Sequence, residues 1–363
     1  MDTQTQMKRR NIYTWAVCLT AVCMMLLQGA CQRRLLEDDD LSKAALIKVK
    51  IDWSRTGLDP LAKSDDANRI HRVSIRFFPK DGQPVFDLFL ETNVTEGKIL
   101  VPVGSYSVII FNESVDDYYW QDGITFTDVN SYSNFAANAV PYANSQREQQ
   151  FPFYTPSVGE RFVVEPLHLA SWSLEHFEVT EGMVLVSHGR QAAPYVSNEE
   201  NNMLNALSNV IMRPLTHKVT LTARVENLAS MYIGYMAFQG LANKVYMASA
   251  LTTSTPTTYL FTLNGRKYDA DKKSGTTNNS FLSFGRTGSS GAVGESYILA
   301  PDVLFITGEL YNPTTPLRFD VTDQMKSQPA SNFNIGVNIS FKLPYVDGAI
   351  GVDDWEDVEY TLQ

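Results

Sequence analysis

The chain has 363 residues, with 30 Lys and Arg against 40 Asp and Glu, a formal net charge of −10, and 44% hydrophobic and 11% aromatic side chains. That acidic balance argues against nucleic acid and anionic lipid headgroups as partners, because both call for basic surfaces. The apolar and aromatic content is ample for packed cores, and the length suits about two domains.

Residues 1–30 read as a signal peptide. Lys8, Arg9 and Arg10 open it, an apolar run extends from Ile12 to Leu27, and Gln28-Gly29-Ala30 leads into Cys31. The run is too short and too polar at its flanks for a transmembrane helix. A cysteine after such a small pair is the residue acylated in bacterial lipoproteins, although Gln28 stands where an apolar residue is usual. All three cysteines, Cys18, Cys23 and Cys31, belong to this stretch, so cleavage after residue 30 leaves one. A single cysteine forms no internal disulfide, and an oxidising compartment disfavours a free thiol. Lipidation at Cys31 resolves both points and predicts a membrane partner reached through a lipid anchor. Residues 31–44 read as a solvated tether with the acidic run Glu37-Asp38-Asp39-Asp40. That run resembles the surface-export signal of Bacteroidetes lipoproteins, which implies an outer-membrane location facing the cell exterior.

From residue 45 the pattern is that of strands. Ala45, Ile47, Val49, Ile51 and Trp53 alternate with Leu46, Lys48, Lys50 and Asp52. Val73, Ile75 and Phe77 alternate in the same way before a Pro79-Lys80-Asp81-Gly82 turn. Val85 to Leu90 is apolar on both faces except at Asp87, as suits a strand between two layers. Ile99-Leu100-Val101 and Val108 to Phe111 flank Pro102-Val103-Gly104-Ser105-Tyr106, where proline and glycine turn the chain at a sandwich corner. Ser114 to Ser157 is aromatic and aperiodic and predicts an insertion with short strands such as Ile124 to Phe126. Phe162 to Glu165, Trp172 to Val179 and Met183 to Val186 predict returning strands that finish a first domain over 45–196.

Asn198 to Met212 departs from this pattern, with Glu199 and Glu200 in a first turn and Met203, Leu204, Leu207, Val210 and Ile211 at helical spacing. We read 197–213 as a linker with helical character and 214–363 as a second domain. Its strands are His217 to Glu226, Tyr232 to Phe238, Thr257 to Leu263, Phe281 to Phe284, Tyr297 to Ile306, Leu317 to Val321 and the alternating run Phe333 to Leu343. Val358, Tyr360 and Leu362 allow one more at the end. The fold class is therefore all-β, with two tandem β-sandwiches behind a lipoprotein signal peptide.

Catalytic and metal-binding patterns do not emerge. The five histidines, His71, His168, His176, His188 and His217, lack partners at metal spacing, and neither a nucleophile elbow nor a phosphate loop with its lysine occurs. The acidic pairs lack calcium-loop spacing. The sequence thus predicts no enzyme, no metal and no cofactor. Tyr118, Tyr119 and Trp120 form the one candidate cluster for a ligand or partner contact, since exposed aromatics stack on sugars or anchor proteins. The alternative is that these rings cap the end of the first sandwich.

Several short motifs resemble a family of Bacteroidales surface lipoproteins that is similar to fimbrial anchor and minor fimbrial subunits. They are Cys31, Asp52-Trp53, Phe77-Phe78-Pro79-Lys80-Asp81-Gly82, Val101 to Tyr106 with Phe111-Asn112, Arg213-Pro214-Leu215-Thr216, Phe238 to Ala242, and Leu343-Pro344 with Val352 to Trp355. The resemblance implies two transthyretin-like, immunoglobulin-like domains, no catalysis, and fimbrial subunits as partners, joined by one chain's strand completing another's sheet. A glycan-binding surface lipoprotein of a polysaccharide-uptake system would share this organisation and is the alternative. A hydrolase is the third class, without an acid–base pair to support it.

Overall fold

The computed structural model describes residues 43–339, except for 63–67, 121–122, 152–153, 155, 191–195, 227, 229–230, 263–264, 289–295, 307–309, 312–317 and 330–331. The leader, Cys31 and the terminal segment Val358 to Leu362 lie outside the described residues.

The expected alternation produces strands β1 (Ala44–Asp52), β2 (Val73–Pro79), β3 (Phe86–Leu90), β4 (Glu96–Pro102) and β5 (Gly104–Asn112). Helix α1 (Val115–Trp120), β6 (Ile124–Thr127), β7 (Ala136–Ala139), helix α2 (Asn144–Gln150), β8 (Phe162–Val163) and β9 (Ala170–Val179) follow. Helices α3 (Glu181–Ser187) and α4 (Asn198–Leu204) precede β10 (Val210–Ile211), β11 (Arg213–Pro214) and β12 (His217–Val225). Then come β13 (Met231–Ala242), β14 (Lys244–Tyr246), β15 (Pro256–Thr262), β16 (Gly265–Tyr268) and β17 (Gly275–Ser283). The described chain closes with β18 (Ile298–Ile306), β19 (Leu310–Tyr311), β20 (Phe319–Asp320), helix α5 (Thr322–Ser327) and β21 (Asn332–Ile339).

A five-stranded sheet, β11-β9-β5-β2-β3, is the centre of the first half. Tyr106, Val108 and Ile110 of β5 enter a core with Ile47, Val49, Ile99 and Val101 of the sheet β10-β1-β4. Phe78, Ile109 and Phe111 leave by the opposite face and meet Phe126 and Phe135, which belong to the layer of β14-β7-β6. Covered on both sides, β5 is buried from Tyr106 to Asn112. Asp87, the one polar break in its strand, lies directly opposite Arg76 and takes both Nε and Nη2 at 2.8 and 2.9 Å.

The second sandwich packs the sheet β16-β17-β12-β21 on the sheet that runs β19-β18-β13-β15-β8, with β20 on β18. Val219, Leu221, Ala223 and Val225 face Met236, Phe238, Tyr259 and Phe261 in one apolar cluster, and the Phe261 and Phe281 rings stack at 4.5 Å. Each Val, Leu, Met and Phe among them stabilises the sandwich by about 1.5–3 kcal/mol through burial. The outer face of β13, β15 and β18 presents Ala237, Leu260 and Ala300, over which Phe151, Tyr154 and Phe162 lie.

The two halves exchange strands. β14, from the second half, pairs antiparallel with β7, and β8, from the first, pairs parallel with β15. Ser171 and Ser173 of β9 donate through Oγ to the Met247 and Ala248 carbonyls at 2.8 and 2.7 Å. The Arg213 guanidinium also donates to the Ala248 carbonyl, which gives the Arg-Pro-Leu-Thr motif a structural task.

Two expectations of element type are corrected. Met183 to Val186, expected as a strand, lies in α3, because the Thr180 hydroxyl accepts from Met183 N–H at 3.2 Å and starts a helical turn. The helix expected over Asn198 to Met212 ends at Leu204, and Val210 and Ile211 instead pair with Ile51 and Asp52. A capping box starts that helix, with Ser197 Oγ accepting from Glu200 N–H and the Glu200 carboxylate accepting from Ser197 N–H. The β-branched pair suits the pleated, half-buried surface of the sheet, where Val210 is buried.

Candidate functional site

The predicted aromatic cluster does not form an exposed platform at Tyr118. This side chain is 2% exposed. Its hydroxyl donates to the His168 carbonyl at 2.7 Å and accepts from Asn112 Nδ2 at 2.6 Å. Asn112 also donates to the His168 carbonyl and accepts from Ala170 N–H, so the pair ties the end of β5 to the start of β9. Burial, with Glu113 nearby, pushes the Tyr118 phenol well above its usual range. The ring packs edge-on against Phe126 at 5.5 Å. Tyr118 is therefore a core residue and presents no face to a ligand. The side chains of Tyr119 and Trp120 lie outside the described structure.

A different feature emerges beside the second sandwich. A cleft of about 490 Å³ opens between the 157–161 loop, Gln239 and Gly240 of β13, Thr257 and Thr258 of β15, and Ser296. Glu160 is its hub. Oε1 accepts from Tyr154 Oη at 2.9 Å, Gln239 Nε2 at 2.9 Å and Thr258 Oγ1 at 2.7 Å. Oε2 accepts from Ser157 N–H at 2.8 Å. Arg318 spans the rim, donating to Gln239 Oε1 at 3.2 Å and Ser157 Oγ at 2.9 Å. Desolvation first, and the Glu160 carboxylate second, hold the Tyr154 phenol far above its usual range.

Gly240 shapes the floor. Its φ of +96° is left-handed, and a Cβ there would collide with the Ser296 carbonyl oxygen. The register of β13 against β15 shifts at this point, between Gln239 and Leu241. The bulge re-aims the strand beside the loop, a common use of glycine within an apolar strand. Gly240 in the apolar run of β13 was the one available sequence signal for this place. Glu160, Gln239 and Arg318 come from distant stretches and carry no common motif.

Chemically the cleft offers amide, hydroxyl and guanidinium groups. The Glu160 carboxylate is already engaged by four donors. Among the described residues no group of three His, Cys, Asp or Glu could hold a metal ion. The arrangement suits hydrogen bonding to a polar ligand and shows no catalytic pair.

Comparison with solved structures returns Bacteroidales surface proteins. A candidate adhesin from Bacteroides ovatus matches with a TM-score of 0.50 at 15% identity, over 87% of this chain and 99% of that one. The fimbrial anchor protein Mfa2 from Porphyromonas gingivalis is 12% identical over 81% of this chain and 90% of its own, with a TM-score of 0.39. A candidate cell adhesion protein from Bacteroides eggerthii is 12% identical over 88% and 93%, with a TM-score of 0.43. At these identities the first likeness is one of fold, and it agrees with the all-β sandwich class read from the sequence. Comparison with curated proteins gives no match. A family model described as a domain of unknown function, DUF5119, matches residues 30–262, which is more than half of the chain, and the protein belongs to that family.

Proposed function

We propose that the protein is a non-catalytic cell-surface lipoprotein, acylated at Cys31, that serves as a fimbrial anchor or accessory subunit in adhesion and fimbria assembly. The observation that carries this reading is the pair of β-sandwiches, a fold shared with the candidate adhesin from Bacteroides ovatus. The lipoprotein-type leader before the first strand supports the location, on the outer membrane and facing the exterior. The finer assignment to fimbriae rests on the short motifs that resemble anchor and minor fimbrial subunits. In this reading the sandwiches occupy 45–196 and 214–363 and 197–213 joins them, with β14 and β8 exchanged between them.

The test is membrane partition combined with co-purification. Cys31→Ser should move the protein from the membrane to the soluble fraction, and the native lipoprotein should bring fimbrial subunits with it from solubilised outer membranes. Unchanged partition of the variant rejects the anchor, and a pull-down without fimbrial subunits rejects the assembly role.

The polar cleft beside Glu160 favours a second reading, a glycan-binding surface lipoprotein. Hydroxyl and amide groups around Gln239 and Thr257 are the kind that bind sugar hydroxyls. A glycan array in which Gln239→Ala loses a signal that the native protein gives would favour it over the fimbrial one.

A further inference from the structure

Among the described residues β21 is an edge strand, with β12 on one side. Phe333, Ile335, Val337 and Ile339 point into the core, and Asn332, Asn334, Gly336 and Asn338 point away from it. Backbone groups of alternate residues face the open side of such a strand and can pair with any strand that arrives. Residues 332–339 carry none of the usual protections, neither a charged side chain nor a proline nor a break in register.

Two glutamines stand in their place. The Gln324 side-chain amide accepts from Gly336 N–H at 2.9 Å and donates to the Gly336 carbonyl at 2.8 Å. The Gln328 amide accepts from Asn334 N–H at 2.6 Å and donates to the Asn334 carbonyl at 2.7 Å. Each primary amide thus makes the donor–acceptor pair that a residue of a neighbouring strand would make. The spacings agree as well. Four residues along a helix advance about 6 Å, and two residues along a strand advance about 6.8 Å.

The helix that carries Gln324, and that ends just before Gln328, is lightly held. α5 has six residues and one buried apolar side chain, Met325. Tyr297 N–H donates to Thr322 Oγ1 at 2.9 Å, and the Arg286 guanidinium reaches the Lys326 carbonyl at 3.5 Å. Short elements with few apolar contacts open at lower cost than the core.

We propose that Gln324 and Gln328 form a removable plug that keeps the β21 edge from pairing with β21 of a second copy of this chain. A second copy fits because the edge is self-complementary: two antiparallel β21 strands related by a two-fold axis each present the same N–H and C=O groups at 334 and 336. The outward row of three asparagines and a glycine places no like charges opposite one another, despite the net charge of −10. The plug holds whichever role the protein has at the surface.

The test compares the full chain with Gln324→Ala/Gln328→Ala by amide hydrogen exchange and sedimentation velocity. At low concentration the double variant should exchange at Asn334 and Gly336 about tenfold faster or more, the loss expected for about one hydrogen bond at each. At higher concentration it should sediment as a dimer while the native chain stays monomeric. Adding Gly336→Pro, which removes the N–H that faces the edge, should restore the monomer. The single variant Gln328→Ala should speed exchange at Asn334 alone and serves if the double variant does not fold. A double variant that stays monomeric overturns the proposal, as does unchanged protection at Asn334 and Gly336, or a dimer that survives Gly336→Pro.

Discussion

The two sandwiches each have a sheet with an outer face to cover, and they cover it by opposite means. In the first, Phe78 and Phe111 project from the central sheet onto Phe126 and Phe135, so a second apolar layer seals the face. In the second, the outer face offers small and medium side chains, Ala237, Leu260 and Ala300, and a loop segment is drawn over it. That segment is held by hydrogen bonds to Glu160 as much as by its rings. An apolar layer gains from area alone and tolerates small shifts. A polar latch needs each donor in place, and it opens when one partner is lost.

The comparison breaks most sharply at Phe135, which is fully buried and touches Phe78, Phe111 and Phe126, with the Arg76 guanidinium over its ring. Phe135→Ala should lower stability by about 3–5 kcal/mol. Urea denaturation checks this, and a loss under about 1 kcal/mol would mean that the outer layer adds little to the first sandwich.

Glu160→Gln probes the other cover. The amide nitrogen faces donors that the carboxylate had accepted, and the expected loss is about 1–2 kcal/mol. Its signature is local: hydrogen exchange should quicken across 142–163 and stay unchanged in β2 and β5. Uniform acceleration in both sandwiches would show that the latch and the apolar layer open together.

The smallest effect concerns alkaline pH. Burial pushes the Tyr106 phenol up to about 12, and Tyr154 is raised further, first by burial and then by Glu160. Such a phenol stays protonated in the folded chain while the unfolded chain ionises it near the ordinary value of about 10. Stability is therefore complete below about pH 10 and falls as the pH rises toward the folded value. At about pH 10.5 each of these tyrosines should cost about 0.5–1 kcal/mol relative to pH 8. Tyr106→Phe and Tyr154→Phe should each flatten this decline, measured by denaturation at both pH values, and a decline that neither variant alters would assign it to other groups.

Much of this architecture was legible in the residues. The alternation in β1, β12 and β21 named both the strands and their buried faces, since one residue in two must face the core. Pro102 to Tyr106 was readable as a corner, and the structure supplies its cause. Tyr106 Oη donates to the Pro102 carbonyl at 3.0 Å, and a Cβ at Gly104 would lie 2.7 Å from that hydroxyl. Val85 to Leu90 was readable as a strand, but β3 ends its sheet and is largely half-buried rather than enclosed between layers, and the partner of Asp87, Arg76, was not readable. The short helices were harder, because six or seven residues give too little periodicity to outweigh β-branched composition, as at Val184 and Val186.

Sequence by itself determined the strand periodicity, the acidic balance and the all-β class, because each is written in the residues without reference to what they meet. Tertiary structure alone decided that Tyr118 is core rather than contact, that Glu160 gathers Tyr154, Gln239 and Thr258, and that two glutamines cover the edge of β21. These depend on side chains meeting across separate stretches of the chain, Gln239 and Glu160 being 79 residues apart. Local pattern sets which way a side chain faces, and only the packing of sheets and loops sets what it meets there.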